Sequence, residues 1–197
     1  MADRIRVVRA LQETGLAVES VYDLVNSPRP YPQAIPVLLR LLGDVEDDRT
    51  KEGIVRALGV KEARGVAAPA LIEEFKRIDP EQTGSRQDLK WAIGNALSVV
   101  MDETVFDDVA QLLRDKRHGD AREMLVLGVA RLKDRRSEGL LMQLLDDDEL
   151  AGHAIIALGR LKAKRARPRI EQYLQHTKPW IRREARKALE RIDRASK

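Results

Sequence analysis

Three histidines, His118, His153 and His176, are the side chains best suited to bind a metal or move a proton. A helical metal site needs a second ligand one turn away, at i+3 or i+4. Those positions hold Ala121 and Arg122, Ile156 and Ala157, and Pro179 and Trp180. Asp115 and Glu149 lie one turn upstream of His118 and His153, and a single pair supplies too few ligands for a site. The acidic run Asp146-Asp147-Asp148-Glu149 carries the charge to attract a cation. It lacks the glycine-punctuated spacing of a calcium loop and reads as a turn between helices. There is no cysteine, which excludes a thiolate nucleophile, a disulfide and a sulfur-ligated zinc. No Gly-x-Ser-x-Gly elbow and no glycine-rich phosphate loop occurs. The expectation is a non-catalytic protein with no metal and no cofactor.

Cations offer a different chemistry. From Arg160 to Lys197 there are 14 Lys or Arg against 4 Asp or Glu, a local +10, whereas residues 1–159 carry 22 against 28, or −6. Arg182, Arg183, Arg186 and Lys187 fall at i, i+1, i+4 and i+5, which gathers them on one side of a helix. Such a stripe attracts an acidic protein segment or a phosphate backbone. Base stacking needs interleaved aromatics, and only Tyr173 and Trp180 are at hand. A solvated terminal cap is the plain alternative.

The elements that must hold these groups repeat. Ala57-Leu58-Gly59, Ala96-Leu97-Ser98, Gly128-Val129-Ala130, Ala157-Leu158-Gly159 and Ala188-Leu189-Glu190 are five versions of one small-large-small step, 39, 32, 29 and 31 residues apart. A second column, Leu42, Phe75, Leu113, Leu145 and Leu174, precedes it by 13 to 22 residues. Six residues before that column stand Pro36, Pro69, Asp107, Gly139 and Pro168, and proline marks the start or a kink of a first helix. Ile35, Leu38, Leu39 and Leu42 keep helical spacing, as do Leu150, Ala154, Ala157 and Leu158. A period of about 30 to 40 residues with two helices per unit is the mark of a stacked array. The expected fold is all-α, a right-handed α-solenoid of five to six helix pairs. One domain covers 1–197, with a capping pair at 1–29, repeats at 30–60, 61–101, 102–133, 134–162 and 163–193, and a tail at 194–197. The stretch Asp79 to Ser85 is expected to be the longest loop.

Ile181-Arg182-Arg183-Glu184-Ala185-Arg186-Lys187-Ala188-Leu189 resembles the second-helix pattern of HEAT repeats, with close variants at Ala121–Val129 and Leu150–Gly159. The short period and the Ala-Leu-Gly ending are similar to the bacterial HEAT-like repeats named after phycobilisome lyases, over roughly residues 30–193. The basic column of the pattern reads Lys51, Lys90, Arg122, Ala151 and Arg182, with a departure at Ala151. The resemblance implies an armadillo-type fold whose second helices line a concave surface. The columns turned to that surface then hold Glu52, Trp91, Glu123, Gly152 and Arg183; Gly53, Ala92, Met124, His153 and Glu184; and Arg56, Asn95, Leu127, Ile156 and Lys187.

Large uncharged side chains gather in the middle repeats of those columns. Trp91, Asn95, Met124, Leu127, His153, Ile156 and Arg160 are therefore the expected partner-binding residues, with Arg182, Arg183, Arg186 and Lys187 supplying electrostatic attraction. The expected function is a protein-interaction scaffold whose partner has an acidic segment. The alternative is a nucleic-acid-binding protein, like the HEAT-like alkylpurine glycosylases, resting on Trp91, Glu52 and the basic end. HEAT-repeat hydroxylases hold iron with His-Glu dipeptides, whereas here the pairs are His118-Gly119, His153-Ala154 and His176-Thr177. A bilin-lyase role is implied by the subfamily name alone. The charged start Met1–Arg6 and the lack of any run of about 18 apolar residues suggest a cytoplasmic protein, with no membrane contact, that is a monomer or a weak oligomer.

Overall fold

The computed structural model describes residues 1–79, 84–132 and 134–195. Part of the stretch Asp79 to Ser85, expected as the longest loop, lies outside the described residues. Among those described, all regular structure is helical and no strand is present. Twelve α-helices follow one another as successive first and second helices: α1 (Ala2–Gln12) and α2 (Tyr22–Val25), α3 (Ile35–Leu42) and α4 (Asp48–Leu58), and α5 (Ala68–Arg77) and α6 (Ser85–Val100). Then come α7 (Phe106–Arg114) and α8 (Glu123–Val129), α9 (Arg136–Gln143) and α10 (Ala151–Leu161), and α11 (Arg167–Glu171) and α12 (Pro179–Arg194). The chain divides into two compact units, Met1–Val109 and Ala110–Lys197, with the division inside α7.

Prolines set where first helices begin. Pro36, Pro69 and Pro168 each occupy the first turn of α3, α5 and α11, where a missing backbone N–H costs nothing. One second helix opens on an acidic cap, and an acidic turn precedes another. Asp47 accepts from the Thr50 amide at 2.9 Å at the start of α4, and Asp147 accepts from the Glu149 amide at 3.1 Å ahead of α10.

Within each unit the second helices pack on one another: α4 on α2 and α6 in the first, α10 on α8 and α12 in the second. The repeated step explains how. Its large residues, Leu58, Leu97, Val129, Leu158 and Leu189, are all buried. Its closing small residue lies against the opening small residue of the next repeat, Gly59 on Ala96 and Gly159 on Ala188. A Cβ on Gly159 would sit 2.7 Å from that of Ala188, so the helices approach only because one side has no side chain. The core columns Ile54, Ile93, Leu125, Ala154 and Ala185 are buried without exception.

The basic column has a structural role. Lys51 pairs with the buried Glu74 carboxylate at 3.0 Å, while three other members reach back to carbonyls at the end of their own first helix, which have no intrahelical partner. Lys90 Nζ donates to the Ile78 carbonyl at 2.9 Å, Arg122 to that of Leu113 at 2.9 Å, and Arg182 to those of His176 and Thr177 at 2.7 and 2.9 Å. At the Ala151 departure the next repeat supplies the donors instead. Tyr173 bonds the carbonyl of Leu145, and Arg169 bonds that of Met142 at 2.8 Å.

Candidate partner-binding surface

The second unit brings five of the expected residues onto adjoining helices. Met124 and Leu127 stand on α8, with His153, Ile156 and Arg160 on α10. Met124, Leu127, His153 and Ile156 are half-buried and Arg160 is exposed. The apolar members are thus partly covered by neighbouring helices, while the core columns beside them are sealed. In the first unit Trp91 is 45% exposed on α6. One turn on, the half-buried Asn95 donates its amide to the Trp91 carbonyl at 3.0 Å.

Three positions expected to line the surface are buried: Gly53, Ala92 and Gly152. Gly53 lies beneath Val21 and Tyr22, and Gly152 beneath the indole of Trp180. Small residues here admit a side chain from the neighbouring helix, so they belong to the packing rather than to an open trough.

Trp180 occupies the first turn of α12 and crosses to α10. Its ring covers Gly152 and leans on the His153 imidazole, with centroids 5.7 Å apart and planes tilted by 55°. On the other side, His153 Nδ1 lies 3.7 Å from Glu123 Oε1 and makes no hydrogen bond. Burial pushes the His153 pKa down. Burial, with Asp120 and Glu149 adding to it and Lys178 opposing, pushes the Glu123 pKa up. Both groups are therefore disfavoured as ions, and the pair is a contact rather than a salt bridge. Trp180 and Glu123 complete this cluster, and the sequence signal for their roles was the Gly152 gap opposite a tryptophan.

The cationic stripe is divided among tasks. Arg182 is half-buried and engaged with carbonyls, as above. Lys187 pairs with Glu184 at 2.8 Å, and Arg183 lies 3.6 Å from the same carboxylate, whose pKa is lowered chiefly by the Lys187 hydrogen bond. Arg186 is exposed. Elsewhere in this unit Arg167 bridges Glu171 and Asp193, and Arg169 bridges Asp146.

The acidic turn also does more than join helices. Asp147 and Glu149 clasp Arg122 from the preceding repeat at 2.8 and 2.6 Å. Arg122 is fully buried, and each of its guanidinium nitrogens donates a hydrogen bond within the protein. Burial works against ionisation of Asp147, but the Arg122 bond and charge, with two backbone amides, hold its pKa below the usual range.

The fold is that of a HEAT/armadillo-type repeat protein, an all-α solenoid of helix pairs. A family model of HEAT repeats matches residues 137–197. Among solved structures, a designed armadillo repeat protein in complex with the peptide (KR)4 is similar in fold, at 18% identity and a TM-score of 0.50. That match covers 94% of this chain and 91% of the designed one. No curated protein matches the sequence. Among the described residues no helix is long and apolar enough to cross a membrane.

Proposed function

We propose that this protein is a non-catalytic scaffold that binds a segment of another protein on the faces of its second helices. The observation that carries the reading is the run of half-buried apolar side chains Met124, Leu127 and Ile156 beside fully sealed core columns. Fully burying an exposed side chain of this size is worth about 1.5–3 kcal/mol, and covering the remaining surface of a half-buried one contributes a fraction of that. Exposed Trp91 gives the first unit its own anchor, with Asn95 beside it. Exposed Arg160 and Arg186 favour a segment that is acidic in part, since the second unit carries 22 Lys or Arg against 13 Asp or Glu. A solenoid of the same fold holds a peptide in the designed protein, which makes peptide capture a natural use of the architecture.

Nucleic-acid binding is the weaker reading. Arg167, Arg169 and Lys187 are already paired with carboxylates of this chain, which lowers the charge available to a phosphate track. Glu52, the carboxylate a glycosylase-like role would need, is bound by Arg56 at 2.6 Å.

Leu127→Asp combined with Ile156→Asp tests the proposal. The double variant should lose partners that the parent captures from its native proteome while its circular dichroism spectrum stays helical. Partners retained by the helical double variant would overturn it, and steeply salt-dependent binding to duplex DNA would favour the alternative.

A further inference from the structure

A cleft of about 390 Å³ opens in the first unit, bounded by α1, the start of α2 and the start of α4. That volume lies within the range of small-ligand sites. Val7 and Val21, both buried, give it an apolar lining, and Ser20 and Tyr22 bring hydroxyl groups to it. Arg4 and Arg49 line it with exposed guanidinium groups.

Charge around the cleft is unevenly committed. Asp3 accepts from the amides of Glu46 and Asp47 at 2.9 and 3.0 Å. Asp23 accepts from those of Glu19 and Ser20 at 2.8 and 2.9 Å. Asp47 is held by the amide of Thr50 at 2.9 Å and by its hydroxyl at 2.5 Å; Arg86 and Ser85 each hold Asp48 at 2.9 Å. Every one of these carboxylates is engaged. Arg4 and Arg49 have no carboxylate within ion-pair distance among the described residues. The Tyr22 hydroxyl donates to the Arg49 carbonyl at 3.1 Å, which ties the phenol to the start of α4 at the cleft wall.

Asp47 also lines the cleft, with its carboxylate committed to Thr50, and two cations outside ion-pair distance of any carboxylate beside an apolar lining suit an anionic head carried on an apolar body. We propose that this cleft binds a small amphiphilic anion, a carboxylate or phosphate monoester on a short alkyl chain. Arg4 and Arg49 take the head, and Val7 and Val21 take the tail. The site shares no residue with the partner-binding residues named above and does not depend on what they bind.

The test is a titration of the full chain, followed by amide chemical shifts, with octanoate, octyl phosphate, octylamine and inorganic phosphate. Octanoate or octyl phosphate should shift the amides of Ser20, Tyr22, Arg49 and Thr50 saturably, with a Kd below about 1 mM. Which of the two binds more tightly identifies the head group. Octylamine, with the same tail and the opposite charge, should not bind, and inorganic phosphate should bind far more weakly. Arg4→Gln and Arg49→Gln should each weaken binding about tenfold. Arg64→Gln, an exposed cation outside the cleft, should leave it unchanged. Equal binding of octylamine, unaltered affinity in the Arg4→Gln/Arg49→Gln protein, or no shift at all would overturn the proposal.

Discussion

Arg122 and Asp147 meet at 2.8 Å inside the second unit, 25 residues apart in sequence, with the guanidinium wholly screened from solvent. The same group bonds the carbonyls of Gly119 and Leu113, so one side chain ties a turn, a first helix and the next repeat together. Removing it strands a buried carboxylate and a carbonyl. Arg122→Ala should lose about 3–5 kcal/mol in urea denaturation at neutral pH. The Asp147 pKa is lowered in the folded state, so the pair stabilises above the ordinary carboxylate range and that contribution fades as pH falls through the lowered value. The deficit of Arg122→Ala relative to the parent should accordingly shrink in acid.

Gly159 and Ala188 define how closely α10 and α12 approach. Gly159→Ala should cost about 1–3 kcal/mol through overpacking, because the added carbon falls 2.8 Å from the Ala188 Cα. Ala188→Gly should recover part of that loss in the double variant while being harmful alone. Thermal melts of the four proteins form the cycle, and strict additivity would show that the two residues do not set the spacing.

His153 makes the second unit sensitive to mild acid. Burial lowers its pKa in the folded state, so the unfolded chain takes up the proton first as pH falls below about 6.5. Stability should decline over that window. Glu123, whose pKa is raised, contributes in the opposite sense as pH nears the usual carboxylate range. His153→Gln should flatten the fall between neutral pH and about 5.5, measured as melting temperature against pH. An unchanged slope would mean that other groups govern it.

Gly152 gives Trp180 its seat. A methyl at Gly152 would lie 1.9 Å from the indole edge, and the ring can swing out because it is a side-chain end. In a Trp91→Phe background, Gly152→Ala should shift the Trp180 fluorescence to the red, with a stability change within about 1 kcal/mol. Loss of several kcal/mol without a spectral shift would mean that the helices, not the ring, give way.

Much of the scaffold was legible because helix formation and core burial are local and periodic. Pro36, Pro69 and Pro168 announced first-helix starts, since proline is tolerated only there. Leu58, Leu97 and Leu158 announced the core, since only one face of a second helix can be buried against its neighbours. Reading Arg182 as part of an open electrostatic stripe went less far, because spacing reports which residues share a side but not which carbonyls lie within reach. Gly53, Ala92 and Gly152 were assigned to an open surface for the same reason.

The amino-acid order alone therefore determined paired helices, their period, and which columns avoid water, because each follows from contacts within a few turns of chain. Only the tertiary structure decided the partners of Arg122, the seat of Trp180 and the company of Arg4 and Arg49. Those outcomes depend on distances between side chains about 25 to 45 residues apart, and a hydrogen bond or ion pair is gained or lost within an ångström.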